Sequence, residues 1–225
     1  MKILFYGAGI IGQIYAARLF EKGVDTTLLA CGENYRNLKN KGVTIFNVLT
    51  KTELNLYIPL ISLLKEDDRF DLIIVTVRLD QLESVKNDLR RVKNCRTILF
   101  MLNNPVGIQT LEREYPGKKI ILGFPGVGGT RNGNRINYVQ IKEQPTTLGD
   151  AEGNISEISK ELKKIFEKAG LKVVLEKEMK AWLVIHAVFI TSASAAIALE
   201  NGDSIQLGKN KKRAAEMVPK YKRRT

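Results

Sequence analysis

Short apolar runs alternate with segments of helical periodicity along most of this chain. Residues 2–6 form the first run, and the helical pattern that follows them ends near Gly23. The near-continuous apolar runs at 71–77 and 96–102 are typical of strands buried on both faces of a sheet. Because strands and helices alternate, the pattern predicts the α/β class with a Rossmann-type, doubly wound parallel sheet.

The same periodicities assign the remaining segments. Further strands are predicted at 25–30, at 43–49 paired with 54–60, at 119–122, at 135–141 and 146–148 as a polar hairpin, and at 173–175. Helices are predicted at 79–92, from the turn at 103–107 to about Tyr115, and at 155–166 with an end at Gly170. The stretch at 123–129 is predicted to be a flexible connection.

A segment without a charged side chain runs from Ala181 to Leu199. Its length just meets that of a membrane span, but polar residues such as Thr191 and His186 lower its hydrophobicity. We therefore expect no membrane span and instead a buried helix. Since one apolar helix cannot bury itself, it is expected to pack on the sheet or to make a homo-oligomer through residues 181–199.

The positive charge is concentrated in the tail. The chain carries a net charge of +12, of which residues 209–225, with eight Lys or Arg and one acid, contribute +7. A frayed basic tail predicts non-specific attraction to polyanions but no specific nucleic-acid site. Cys31 and Cys95 have neither disulfide nor metal-ligand spacing, and the first apolar run is too short for a signal peptide. We expect a cytoplasmic protein without a metal site.

The most informative motif is Gly7-Ala8-Gly9-Ile10-Ile11-Gly12, which lies between the first strand and the first helix. In a dinucleotide site, Gly7 permits the tight turn, Gly9 lets the pyrophosphate approach the backbone, and Gly12 allows close packing of helix on strand. The helix N-terminus then faces the phosphates. Glycines at this spacing also occur in ordinary turns, but the apolar strand before them and the helix after them favour the dinucleotide.

The end of the second predicted strand bears on the type of cofactor. An NAD site places Asp or Glu there, about 20 residues after the first glycine. Here the strand ends in Ala30-Cys31-Gly32 without a carboxylate, and Arg36, Lys39 and Lys41 follow. These cations would neutralise a 2′-phosphate, which favours NADP (NADPH). The alternative is that they form a solvated helix face.

Four short motifs, in order, resemble those of ketopantoate reductases (2-dehydropantoate 2-reductases). They are Met-Lys-Ile with the glycine motif up to Gln13, then 75–81, 103–107, and 126–133 followed by 146–149. The resemblance runs from residue 1 to about 208. It implies a Rossmann domain at 1–176, an all-helical second domain beginning at 177–225, and NADPH-dependent reduction of a 2-keto acid to a 2-hydroxy acid in pantothenate biosynthesis. Because that helical domain is longer in the family, the chain is expected to be divergent and C-terminally truncated.

The resemblance carries several roles onto this sequence. The three glycines match the family's fingerprint, and Arg78 with Gln81 matches a Lys-x-x-Gln that ends a strand beside the cofactor. The family has an asparagine after the next strand that contacts cofactor and substrate. Either Asn103 or Asn104 matches it.

Two positions depart from the family. Cys31 stands where the resemblance places an arginine that grips the 2′-phosphate, and Val184, two residues after Trp182, stands where it places the catalytic lysine. Lys180 lies one helical turn before Val184 and is the candidate replacement, unless it is merely a solvated lysine. His186 is expected to be a satisfied core residue rather than an acid catalyst.

Two hypotheses about function follow. The first is a reductase of 2-keto acids that is weak or inactive as this chain. The second is a non-catalytic NADP(H)-binding protein, such as a truncated product or a redox sensor. The glycine motif is common to both, whereas Val184 and the short helical part favour the second.

Overall fold

The computed structural model of the chain describes residues 1–103, 108–140, 144–210 and 212. Within these ranges the strands, in chain order, are β1 (Lys2–Tyr6), β2 (Asp25–Leu29), β3 (Val43–Asn47), β4 (Thr52–Leu56), β5 (Leu60–Ile61), β6 (Leu72–Val75), β7 (Thr97–Met101), β8 (Lys119–Phe124), β9 (Gly128–Asn132), β10 (Arg135–Val139), β11 (Thr146–Asp150) and β12 (Val173–Leu175). The helices there are α1 (Ile10–Glu21), α2 (Gly32–Lys41), α3 (Leu82–Arg91), α4 (Ile108–Glu114), α5 (Glu157–Lys168), α6 (Met179–Leu199) and α7 (Ser204–Lys209).

Eight of the described strands form one sheet in the order β12-β11-β8-β7-β6-β1-β2-β5. The six strands from β8 to β5 are parallel, and β11 pairs antiparallel with β8. The predicted α/β class with a largely parallel sheet is confirmed. The chain passes from β1 to β2 on one side and then to β6 on the other. A crevice therefore opens between the carboxyl ends of β1 and β6, where such sheets bind ligands.

The apolar runs are continuous because both faces of the sheet are covered. In β1, Ile3 and Phe5 pack into one layer of the core, and Leu4 and Tyr6 pack into the other. Side chains of α1 and α5 fill the first layer, and side chains of α3, α4 and the start of α6 fill the second. These four of the five β1 residues are buried, which fixes the position of the turn that follows Tyr6 at the carboxyl end of the strand.

A smaller sheet of four described strands, in the order β4-β3-β10-β9, packs against the α1 side. The predicted pairing of 43–49 with 54–60 is confirmed, because β3 and β4 are antiparallel. The predicted hairpin of 135–141 with 146–148 is wrong. The hairpin partner of β10 is β9, which occupies part of the stretch predicted as a flexible connection. The strand at 146–150 is fully buried and joins β8 in the large sheet.

The expectation of a buried helix at 181–199 is wrong for most of its length. α6 packs on the sheet through Met179 and Leu183, but only 11% of its most apolar 18-residue window is buried, and Phe189 is 41% exposed. With a mean hydropathy of 1.9, α6 is long and apolar enough, by length and composition alone, to cross a membrane. The division of the chain into units at 1–176 and 177–225 stays a prediction.

Candidate functional site

A crevice of about 820 Å³ lies where the parallel strands β1, β2 and β6 end. Its described walls come from the glycine turn, the end of β2, α2, the segment after β6, the start of α3, and β9. The crevice therefore coincides with the point where the strand order reverses. Of the predicted site residues, it brings together Gly7, Ala8, Gly9, Ile10, Ile11, Arg78 and Gln81.

The three glycines of the turn differ in what surrounds them. Gly7 has a φ of +117°, which a residue with a side chain rarely adopts. A Cβ on Gly12 would lie 2.0 Å from the carbonyl oxygen of Gly7, so only glycine lets α1 start this close to β1. A Cβ on Gly9, by contrast, would meet nothing within 4 Å. The turn is thus tightly packed at Gly12 and open towards the crevice at Gly9.

Three side chains that sequence reasoning missed hold this turn in place. The hydroxyl of Thr76 donates a hydrogen bond to the carbonyl oxygen of Gly7 at 2.7 Å. The side-chain amides of Gln13 and Asn34 both donate to the carbonyl oxygen of Ala8, at 2.7 and 2.9 Å. Gln13 is fully buried on an otherwise apolar face of α1. A polar residue at an apolar position of the helical pattern is the sequence signal that could have identified it.

The N-terminus of α1 is free to receive an anion. Its N-cap is Gly9, and neither a capping side chain nor an acidic residue is present in its first turn. The first backbone N–H groups of a helix have no partner within the helix, and the helix dipole favours negative charge there. The described lining residues include two arginines and no carboxylate. These residues fit a dinucleotide whose pyrophosphate meets the start of α1.

The end of β2 has the predicted lack of a carboxylate. Cys31 is exposed, lines the crevice, and its thiol donates to the carbonyl oxygen of Ser62 at 3.4 Å. Arg36 lies on the exposed surface of α2 and is not among the described residues that line the crevice. The role predicted for Arg36 stays a prediction.

The other predicted site residues follow the carboxyl ends of β6 and β7. The guanidinium of Arg78 binds the carboxylate of Asp80, with Nε 2.9 Å from Oδ1, and this hydrogen bond lowers the pKa of Asp80. The side-chain oxygen of Gln81 accepts a hydrogen bond from the backbone N–H of Arg78. Asn103 follows β7, and its side-chain oxygen is buried without a hydrogen-bond partner among the described residues. Asn104 lies outside the described residues.

The start of α6 carries the candidate proton donor. The ammonium group of Lys180 lies 3.6 Å from a carboxylate oxygen of Glu112 on α4, and Lys180 is not among the described residues lining the crevice. Val184, one turn later, is 45% exposed. Lys180 is thus neither a purely solvated lysine nor a group already placed at the crevice.

His186 lies in an aromatic cluster at the same end of α6. Its ring stacks on Trp182 at 4.7 Å between ring centroids and lies 4.0 Å from the ring of Phe124. Burial lowers the pKa of His186, and its Nε2 is buried with no hydrogen-bond partner among the described residues. The expectation of a satisfied core histidine is therefore wrong.

Comparisons with known proteins agree with this geometry. The sequence profile of a family described as ketopantoate reductase PanE/ApbA matches residues 3–153. A 2-dehydropantoate 2-reductase of Pyrococcus horikoshii is 27% identical over 194 residues, which are 81% of this chain and 58% of that protein. The chain thus spans little more than half the length of this curated relative.

Solved structures show the same fold at low identity. A 2-dehydropantoate 2-reductase from Methylococcus capsulatus superposes with a TM-score of 0.74 at 19% identity, covering 90% of this chain and 65% of that one. A probable 2-dehydropantoate 2-reductase from Bacillus subtilis gives 0.75 at 19% identity, covering 96% and 72%. A D-mandelate dehydrogenase in a ternary structure with NADH and anilino(oxo)acetate gives 0.74 at 20% identity, covering 88% and 63%.

Proposed function

This chain belongs to the ketopantoate reductase PanE/ApbA family, and we propose that its crevice binds a nicotinamide dinucleotide for the reduction of a 2-keto acid to a 2-hydroxy acid, a reaction that is weak or absent in this chain. The observation that carries this proposal is the glycine turn at the switch point of the sheet, open to the crevice at Gly9. When bound, the cofactor would supply a hydride to the substrate carbonyl. The protein supplies position and charge.

The proposed roles of the chain's own residues follow from their places in the fold. Gly9 and the N-terminus of α1 bind the pyrophosphate, while Arg78 and Gln81 lie beside the cofactor at the end of β6. Asn103, whose buried side-chain oxygen has no hydrogen-bond partner among the described residues, is proposed to bind cofactor and substrate. Lys180 is the proposed proton donor to the developing alkoxide, a role for which it must leave the carboxylate of Glu112.

We also propose a preference for NADPH over NADH. Its support is the absence of a carboxylate at Cys31, together with a described crevice lining that contains arginines and no acid. A structural neighbour, the D-mandelate dehydrogenase, was solved with NADH, which makes NAD the alternative to test. Arg36, predicted to assist the preference, lies outside the crevice lining.

A second candidate function is cofactor binding without turnover. It is favoured by the ion pair between Lys180 and Glu112 of α4, and by valine at position 184. In this case the same crevice binds the dinucleotide, and the chain acts as a passive binder or as a sensor of its redox state.

The exposed apolar surface of α6 supports two further proposals. We propose that a second copy of the chain covers this surface, because contiguous apolar patches of this kind are usually buried in an interface. We further propose a cytoplasmic protein without a membrane span, since the first turns of α6 pack on the sheet through Met179 and Leu183.

The experiment that separates the candidate functions is a pair of assays on the full chain. NADPH oxidation is followed with a panel of 2-keto acids, and cofactor binding is measured directly by titration. Binding with turnover supports the reductase, and binding without turnover supports the second candidate. Absence of binding by either cofactor contradicts both.

A further inference from the structure

The crevice has positive charge at two described positions, which lie on different sides of it. Arg78 follows β6, and its guanidinium is already bound by Asp80. Arg131 comes from β9 of the smaller sheet. In the sequence, Arg131 belongs to the motif at 126–133 and has no predicted role of its own.

The surroundings of Arg131 place it on the β2 side of the crevice. Arg131 and Asn34 each line the crevice and also an adjoining recess of about 350 Å³. The rest of that recess includes Glu33, Asn37 and Leu38 of α2, the helix that directly follows β2. In a doubly wound dinucleotide fold, the adenosine ribose lies at the end of the second strand. Of the two arginines that line the crevice, Arg131 is therefore the one on the ribose side.

The fold brings Arg131 there through a close crossing of β9 over α1. A Cβ on Gly129 would lie 3.2 Å from a side-chain carbon of Ile10, the first residue of α1. Alternate residues of a strand share a face, so Arg131 projects from the same face of β9 as Gly129. Glycine at 129 lets the strand approach the helix, and arginine two residues later then reaches the crevice.

The guanidinium of Arg131 is also unengaged. Among the described residues it has no ion pair and no hydrogen bond. Arg135 on the neighbouring strand of the same hairpin is a useful contrast. Its guanidinium lies 3.3 Å from the carboxylate of Glu53 and 4.8 Å from the centre of the Phe46 ring. Arg135 is thus held by the protein, whereas no described residue engages the guanidinium of Arg131, which leaves it available to a ligand.

We propose that Arg131 binds the 2′-phosphate of NADPH and is the residue that distinguishes it from NADH. This inference rests on the proposed function, because it assumes that the crevice holds a nicotinamide dinucleotide. A guanidinium binds phosphate oxygens through two parallel hydrogen bonds. Arg131 thereby supplies the cation that is missing at Cys31.

The test is a fluorescence titration of the full chain and its variants with NADPH and with NADH, at one fixed ionic strength. The Arg131→Gln variant should bind NADPH about 10- to 100-fold more weakly, the range for a lost charge-assisted hydrogen bond, and bind NADH unchanged. Arg131→Lys should keep part of the preference. Arg135→Gln is the matched control, since it removes the same charge from the same hairpin, and it should leave both affinities unchanged.

Three results would overturn the inference. Equal weakening of NADPH and NADH by Arg131→Gln would place Arg131 at the shared pyrophosphate. Loss of the preference in Arg36→Gln instead would assign the role to α2. If the unmodified chain bound both cofactors with equal affinity, it would not recognise the 2′-phosphate, although it would still bind a dinucleotide. Failure of the unmodified chain to bind either cofactor, by contrast, would reject the proposed function itself. A thermal melt of each variant checks that it is folded.

Discussion

The glycine turn and helix α6 differ in how fully the other described residues contact them. At the turn, the carbonyl oxygens of Gly7 and Ala8 have hydrogen-bond donors within the domain, and the strand that leads into it is buried. Along α6, large apolar side chains such as Val188 and Phe189 are 49% and 41% exposed. The described residues complete the contacts of the turn, whereas they leave much of the apolar surface of α6 uncovered.

This difference separates two properties of the protein. A cofactor site whose supporting contacts all lie in the described α/β part needs nothing further in order to form. A substrate site that depends on α6 needs whatever covers that helix. We therefore expect this chain to bind a dinucleotide even where it does not turn over a 2-keto acid.

The largest expected effect concerns turnover. We expect reduction of 2-keto acids to be absent or very weak even when NADPH binds, since losing a positioned general acid typically removes about 10²–10⁴-fold in rate. Val184→Lys alone should restore little activity, because the exposed side of α6 lacks the contacts that would place substrate. Steady-state NADPH oxidation measures both.

An ordinary turnover number of about 1–10³ s⁻¹ for the unmodified chain would contradict the expectation of binding without turnover. Lys180→Ala would then test Lys180 as the proton donor. Glu112→Gln is its companion variant, because it removes the ion-pair partner and leaves the lysine in place.

The turn itself is tested by a pair of substitutions. Gly12→Ala forces a Cβ to within 2.0 Å of the Gly7 carbonyl oxygen and should cost about 1–3 kcal/mol in the free energy of unfolding. Gly23→Ala is a poor control, since Gly23 has a φ of +76°. Gly9→Ala is the better one, because its Cβ meets no atom within 4 Å. Chemical denaturation should show a loss of stability for Gly12→Ala alone.

The uncovered helix is tested by its state of association. If a second copy covers α6, the unmodified chain should exceed the monomer mass at micromolar concentration in light scattering, and Phe189→Glu should return it to a monomer. Asn40→Glu adds the same charge on the exposed face of α2 and should change nothing. A monodisperse monomer of the unmodified chain would reject self-association through α6.

The smallest effect is a dependence of stability on pH. Burial lowers the pKa of His186 below its ordinary value of 6.5, so the folded chain binds this proton less readily than the unfolded chain does. The stability contributed by neutral His186 is complete above pH 6.5 and is lost as the pH falls from there towards the folded-state pKa. Denaturation curves between pH 7.5 and 5.5, set beside those of His186→Phe, isolate this slope. Parallel pH profiles for the two proteins would contradict it.

The parts of the fold predicted from sequence are those with a strong local signal. The buried strands have continuous apolar runs, and the glycine turn has a fixed spacing. β9 was missed because Gly128 and Gly129 contribute no apolar alternation, and its pairing with β10 in the smaller sheet comes from backbone hydrogen bonds. Arg131 was missed for the same reason, since its place in the crevice depends on how that strand crosses α1.

The burial of α6 was predicted wrongly for a different reason. Its composition indicates that the helix favours burial, but composition does not tell whether a surface to bury it is present. The buried strand at 146–150 is the converse case. Its threonines gave a polar pattern, yet the hydroxyl of Thr146 is 2.6 Å from that of the buried Tyr15, which satisfies it inside the core.

The dinucleotide site is tested most directly by the affinity of the unmodified chain for NADPH, measured by titration beside Gly9→Val. Gly9 has an ordinary φ of −74°, and its side-chain position is open, so this variant should fold normally while blocking the approach of a pyrophosphate. We predict saturable binding at one site per chain for the unmodified protein and none for Gly9→Val. Absence of binding by the unmodified chain, or equal binding by a folded Gly9→Val variant, would contradict this prediction.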